Sequence, residues 1–161
     1  MAKPLEVLVG ELLTLRGLRL ALAESCTGGL VGHLITNVAG SSTYYLGGVT
    51  AYANEAKVRL LGVNPGTLEK FGAVSAETAL EMARGIRLAL AADIGVSVTG
   101  IAGPTGGTAD KPVGTVWIGI STPHDEYARH FLWSGNRLAI KKQSAQAALK
   151  LLAEELRKAD G

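Results

Sequence analysis

A single cysteine, Cys26, rules out any internal disulfide and fits a reducing cytoplasm. Aromatic residues make up only 5% of the chain, so its core must be aliphatic, drawn from Leu, Val, Ile and Ala. Such a core suits helices packed on a sheet. No run of about 18 uninterrupted apolar residues exists, which excludes a membrane-spanning helix. Nor is there an excess of one charge: 16 basic residues nearly cancel 14 acidic ones, leaving +2, and both kinds are scattered. A nucleic-acid binder shows a clustered basic face. The nearest approach here is Arg137 with Lys141 and Lys142, which reads as a solvated helix face and argues against a nucleic-acid partner. Glu6 and Glu11 interrupt the region where a signal peptide would be apolar, so a cytoplasmic location is expected. One cysteine and no H-x-x-x-H pair leave no legible metal site.

What the chain does have is a folding composition. Apolar residues reach 47% and charged residues 19% over 161 positions, which predicts one compact domain across residues 1–161 and not a disordered chain. The 21 glycines follow no Gly-X-Y period, so they serve turns and close backbone approaches.

Periodicity gives the order of elements. Leu5, Leu8, Val9, Leu12 and Leu13 form a helical stripe after Pro4, over residues 4–15. Residues 18–23 read as a short buried strand running into a polar turn at 24–29. A helix over 30–38 follows, then a strand over 44–53 broken at Gly47 and Gly48, and a short helix over 55–61. Asn64, Pro65 and Gly66 open another short helix. Ser75 is placed to cap a helix that runs to about Ala92. The apolar run 94–99 reads as a central strand, and a glycine-rich loop covers 100–114. Strands over 115–121 and 126–133 form a hairpin, and a helix over 136–158 ends the chain. Alternation early and a hairpin late predict an α/β fold: a three-layer α/β/α sandwich around a mixed sheet. Ligands of such sheets sit beyond the carboxyl ends of strands. That rule points to the loops at 24–29 and 100–114.

The first of these loops holds Ser25 between a strand and a helix. Such a turn can bind an anion at the helix N-terminus, present the serine as a nucleophile beside oxyanion donors, or simply cap the helix. A nucleophile needs a base. His33, His124 and His130 do not fall in a loop after a core strand, which leaves a Ser–Lys pair. Lys57 opens a short helix just past a strand that ends near Tyr52. As a base it must be neutral, so burial or a nearby cation must lower its pKa; otherwise it is a surface lysine. Tyr52, five residues earlier, is expected to touch Lys57 and relay a proton. In the second loop Thr99 offers a hydroxyl, and Gly100–Gly107 offers free N–H groups without matching a Walker A or dinucleotide fingerprint. Arg137 could pair with a phosphate or carboxylate. Ser42, in a hydroxyl cluster before the strand leading to Tyr52, is expected to line the pocket or form a turn.

Four strings together are specific: Ala23 to Gly29, Gly47 to Lys57, Gly72 to Ser75, and Thr99 to Gly107. In order and spacing they resemble the CinA C-terminal domain family, over roughly residues 5–156. That family includes nicotinamide-nucleotide amidases, which hydrolyse nicotinamide mononucleotide to nicotinate mononucleotide and ammonia in pyridine-nucleotide salvage. The chain resembles their stand-alone form. The resemblance implies Ser25 as nucleophile, Lys57 as base and Tyr52 as their assistant. It also implies substrate contacts at Ser42, Thr99 and Arg137. Thr27, Gly28, Gly29, Asn54, Gly100 and Gly103 fall within the matching strings and are expected at the substrate site, with N–H groups near Thr27 and Gly28 as oxyanion donors. Asn136 stands where the family usually has Asp before this arginine, though Asn is itself a good cap. A small nucleotide substrate and no cofactor are implied, and a homo-oligomer is compatible. Family links to competence and DNA damage also admit a non-catalytic, nucleotide-sensing or partner-binding module.

Overall fold

The computed structural model describes residues 2–158. Its order is α1 (Leu5–Arg16), β1 (Leu20–Glu24), α2 (Leu30–Thr36), β2 (Tyr45–Thr50), α3 (Asn54–Leu61), α4 (Pro65–Phe71), α5 (Ala76–Ala89), β3 (Ile94–Gly100), β4 (Thr115–Ser121), β5 (Glu126–Leu132) and α6 (Arg137–Leu156). The sheet order is β2-β1-β3-β4-β5. β2, β1 and β3 run parallel, while β4 and β5 add antiparallel, so the sheet is mixed as expected. Among the described residues no helix is long and apolar enough to cross a membrane.

The two sheet faces differ in side-chain size. Leu20 and Leu22 of β1, Ile94, Val96 and Val98 of β3, and Val116, Ile118 and Ile120 of β4 point to one face. There they pack against Val9 and Leu13 of α1, Val31 and Ile35 of α2, and Leu149 and Leu152 of α6. The opposite face carries Ala21, Ala23, Gly95, Ser97 and Gly119, which are small. Strand alternation makes this asymmetry: one period-2 set is bulky and the other is not. The helix α5 presents Ala79, Met82, Ala83 and Ile86 at helical spacing to that small face, with α3 beside it. The approach is so close that the Ser97 hydroxyl donates to the Ala79 carbonyl at 2.6 Å. A Cβ on Gly119 would lie 2.5 Å from the same oxygen.

Several boundaries shift from expectation. The strand expected over 44–53 pairs only from Tyr45 to Thr50. Its register slips between Leu20 and Ala21, where Gly47 has φ +142°. The expected break at Gly47 and Gly48 is thus a bulge. The helix expected to reach Ala92 stops at Ala89, because Ala91 adopts φ +51°. Both anticipated caps form: Ser75 accepts from Thr78 N at 3.1 Å and Asn136 from Ala139 N at 2.9 Å.

If the small face sets the helix–sheet distance, one added methyl must be felt. Gly119→Ala is expected to destabilise the chain by about 1–3 kcal/mol, read as a lower urea midpoint at unchanged slope. An unaltered midpoint counts against the close approach.

Candidate active site

Three parallel strands end on one side of the sheet, and the chain leaving each one contributes to a single cleft of about 220 Å³. Ser25 and Cys26 follow β1, Tyr52, Asn54 and Lys57 follow β2, and Thr99, Gly100 and Ala102 come from the end of β3. Ala73 and Val74 precede α5, and Arg137 opens α6. A larger groove of about 450 Å³ runs along Phe131 and Trp133, but its lining holds no serine or threonine beside a buried base.

Backbone bonds fix Ser25. Ser25 N donates to Val98 O at 2.9 Å, and Ala51 N donates to Glu24 O at 2.9 Å, extending the sheet just past both strand ends. Lys57 lies on the first turns of α3, and its side chain folds back over the segment that links β2 to the helix. It is 1% exposed. Its Nζ sits 3.0 Å from Ser25 Oγ, 2.9 Å from Ala51 O and 3.0 Å from Tyr52 O. Burial lowers its pKa from the usual lysine value, because desolvation penalises the charged form. A neutral amine donates two protons to the two carbonyls. Its lone pair is then left facing the serine hydroxyl, the geometry a general base requires. The other nucleophile lining the cleft, the Cys26 thiol, is pushed up to about 12 by burial, so it stays protonated and unreactive at neutral pH.

The family model that matches, CinA C-terminal domain, covers residues 2–156. The chain belongs to this family. A Salinibacter ruber CinA-like protein is 51% identical over 146 residues, covering 91% of this chain and 35% of its own length. A Desulfotalea psychrophila CinA-like protein is 51% identical over 149 residues, with 92% and 36% covered. The chain therefore spans a little over a third of the curated relatives it matches. Among solved structures, the competence/damage inducible protein CihA from Agrobacterium tumefaciens superposes with TM-score 0.91 at 38% identity, covering 98% of each chain.

Within this CinA C-terminal domain, several expected site residues lie elsewhere or act differently. The Tyr52 side chain does not reach Lys57. It is 60% exposed, and its hydroxyl accepts from Arg137 Nη2 at 3.0 Å; only its carbonyl meets the lysine. A proton relay through the phenol is thus replaced by a role in holding Arg137, whose Nη1 also donates to Gly103 O at 2.7 Å. Gly103 accordingly serves by its carbonyl, outside the cleft lining. Ser42 sits exposed in a 3-10 turn before β2, at the opposite end of that strand from the cleft. The Thr99 hydroxyl donates inward to Ala73 O at 2.8 Å and so pins the loop that forms the far wall. A Cβ on Gly100 would run into Val116 and Thr115 O, so that glycine is there for packing.

Glu24 is the residue sequence reasoning missed. Its buried carboxylate accepts from Thr27 Oγ1 at 2.6 Å, Val31 N at 2.9 Å and Gly32 N at 3.0 Å. The only hint in the sequence is an acid ending an otherwise apolar strand. It occupies the N-terminus of α2, so the anion site expected there is filled by the chain itself, and Ser25 is not the cap. Thr27 is committed to Glu24. The Gly28 N–H donates to Ser25 O at 3.0 Å, which removes it as an oxyanion donor. The N–H groups of Cys26 and Thr27 donate to no protein oxygen among the described residues. The first of these, directly after the nucleophile, is where serine hydrolases place such a donor. The charged cluster of α6 also divides: Lys142 is exposed, but Lys141 is half-buried beside the Ser25–Gly29 turn. No group of three or more His, Cys, Asp or Glu side chains forms a metal cage among the described residues.

Lys57 carries a stability signature with a definite sign. Between its lowered folded pKa and the unfolded value of about 10.4, the unfolded chain holds the proton and the folded one does not. Stability therefore rises with pH through that window. Urea unfolding at a series of alkaline pH values is expected to show this slope in the wild type and a flatter one in Lys57→Met. Equal slopes would place a charged amine in the fold.

Proposed function

We propose that this chain is an amidohydrolase that converts nicotinamide mononucleotide to nicotinate mononucleotide and ammonia through Ser25 and Lys57. One observation carries the reading: a desolvated amine 3.0 Å from a serine oxygen, both at the mouth of one cleft. The resemblance of four strings to the nicotinamide-nucleotide amidases supports the substrate class.

The chemistry follows from the geometry. Lys57 takes the Ser25 proton as Oγ bonds to the carboxamide carbon. The resulting oxyanion faces the N–H groups of Cys26 and Thr27, and a donor of that kind is typically worth about 100–1000-fold in rate. The tetrahedral species collapses, the C–N bond breaks, and the ammonium of Lys57 returns its proton to the departing nitrogen, which leaves as ammonia. Water then attacks the acyl ester with Lys57 again as base. The C–Oγ bond breaks, nicotinate forms and the serine is restored. The pyridine carboxamide fills the cleft, while the ribose phosphate lies across the rim toward Arg137 and the 100–107 loop.

Ammonia release from nicotinamide mononucleotide tests this reading. Ser25→Ala and Lys57→Ala are each expected to lose at least about a thousandfold in kcat. Arg137→Ala is expected to act mainly through KM. Near wild-type turnover in folded Ser25→Ala sinks the mechanism. Nucleotide binding by the wild type without any ammonia would favour a sensing module instead. In the active chain, kcat/KM is expected to climb with pH as Lys57 loses its proton, with an apparent pKa below that of free lysine.

A further inference from the structure

We propose that Lys141 is a specificity-determining residue that, with Arg137, binds the phosphate monoester of the substrate. The inference rests on the amidase reading above and names the residue that would make it selective for a phosphorylated nucleotide.

Four positions separate Arg137 from Lys141 on α6, so the two project from the same helix face, about 5–6 Å apart at Cβ. Lys141 packs against the nucleophile turn: a Cβ built on Gly28 would lie 3.7 Å from its Nζ. Lys141 is half-buried as a residue, yet among the described residues its ammonium makes no hydrogen bond and no ion pair. Among the described residues no carboxylate pairs with it: the Glu24 carboxylate bonds Thr27, Val31 and Gly32 instead, and the Cys26 thiol stays protonated. Arg137 is in the same position. Its guanidinium meets a carbonyl and a phenol, both neutral, and no carboxylate. Two cations thus share one face of α6, Arg137 lining the Ser25 cleft and Lys141 beside the turn that carries Ser25, and neither forms an ion pair among the described residues.

Like charges at i,i+4 on one helix face repel, and an anion between them relieves the repulsion. The chemistry favours a doubly charged anion over a single carboxylate. A phosphate monoester carries about −1.5 to −2 charges at neutral pH and offers three acceptor oxygens, enough to engage both side chains. The product carboxylate does not compete for this place, since it forms at Ser25. The filled N-terminus of α2 strengthens the assignment, because the usual backbone site for phosphate is closed here.

Ammonia release and binding are measured side by side for the wild type, Lys141→Ala, Lys141→Arg and the exposed neighbour Lys142→Ala. The readout is kcat/KM for nicotinamide mononucleotide divided by that for nicotinamide riboside, which lacks the phosphate. Lys141→Ala is expected to lower this ratio about ten- to hundredfold, chiefly through KM. Lys141→Arg should restore most of it, and Lys142→Ala should leave it alone. Lys141→Gln, which keeps the stem, takes the place of the alanine variant should that one not fold. A ratio indifferent to Lys141 overturns the proposal. Should the wild type release no ammonia from either compound, the amidase reading fails, and calorimetric titration with nicotinate mononucleotide decides the anion site alone. A ten- to hundredfold weaker affinity in Lys141→Ala supports the site. Equal affinities, or no binding by the wild type, overturn it.

Discussion

The desolvated amine of Lys57 is the constraint to which the rest of the cleft answers. Burying an ammonium in a protein interior costs several kcal/mol even after relaxation, so burial biases Lys57 toward its neutral form. In that form it is a donor of two hydrogen bonds with one lone pair. The Ala51 and Tyr52 carbonyls absorb the two donors, and the lone pair is left for Ser25. This works only because α3 begins so soon after β2 that the helix can fold a lysine back over its own entry segment. Move that lysine one residue along the helix and the side chain turns by roughly 100° away from the serine.

The sheet makes the arrangement rigid. Its small face, with Ala21, Ala23, Gly95, Ser97 and Gly119, lets α5 lie almost against the strands. The bulky face anchors α1, α2 and α6 through branched aliphatic side chains. Thr99 continues the small face to the strand end, where its hydroxyl ties Ala73 and so the wall of the cleft to β3. One alternation of residue size therefore serves both as core packing and as a means of setting the distance between a helix layer and the nucleophile. The aliphatic composition is what permits it, since an aromatic on the small face would push α5 out by several ångströms.

The parts of this structure legible in the sequence were those written in local pattern. Leu20–Ala23 and Ile94–Val98 are apolar runs flanked by turns, and they are the central strands. Ser75 and Asn136 are polar residues ahead of periodic stripes, and both cap helices. The rule that ligands meet strand ends pointed to the loops around Ser25 and after Thr99, and the search for a base to Lys57; all three line one cleft. What failed was direction. Sequence separation suggested a Tyr52–Lys57 contact, but five residues across a strand-to-helix junction put the phenol and the amine on different sides, and only the carbonyl reaches. Ser42 failed for the opposite reason: it precedes β2, and a strand of six residues carries its two ends to opposite edges of the sheet. Glu24 was hard to read because two of its three partners, Val31 and Gly32, are backbone N–H groups that any residue would have supplied, and only the Thr27 hydroxyl is a side-chain donor.

That buried carboxylate also explains how charge is laid out around the cleft. A helix N-terminus facing a strand-to-loop turn is the ordinary place for a substrate anion. In the proposed mechanism the turn must instead hold Ser25 still while the Cys26 and Thr27 N–H groups face an oxyanion. Glu24 fills the adjoining α2 N-terminus, at the Val31 and Gly32 N–H groups, with a group that never leaves. The positive potential for a substrate anion then has to come from another element, and α6 starts at the same end of the sheet, where β5 terminates. Its first two turns carry Arg137 and Lys141 toward the cleft, with Arg137 steadied by Gly103 and Tyr52 from two other loops. In the proposed mechanism, anion binding and bond cleavage are thereby assigned to separate elements: the Cys26 and Thr27 N–H groups stay free for the transition state, where their stabilisation counts, and ground-state binding rests on cations several residues away.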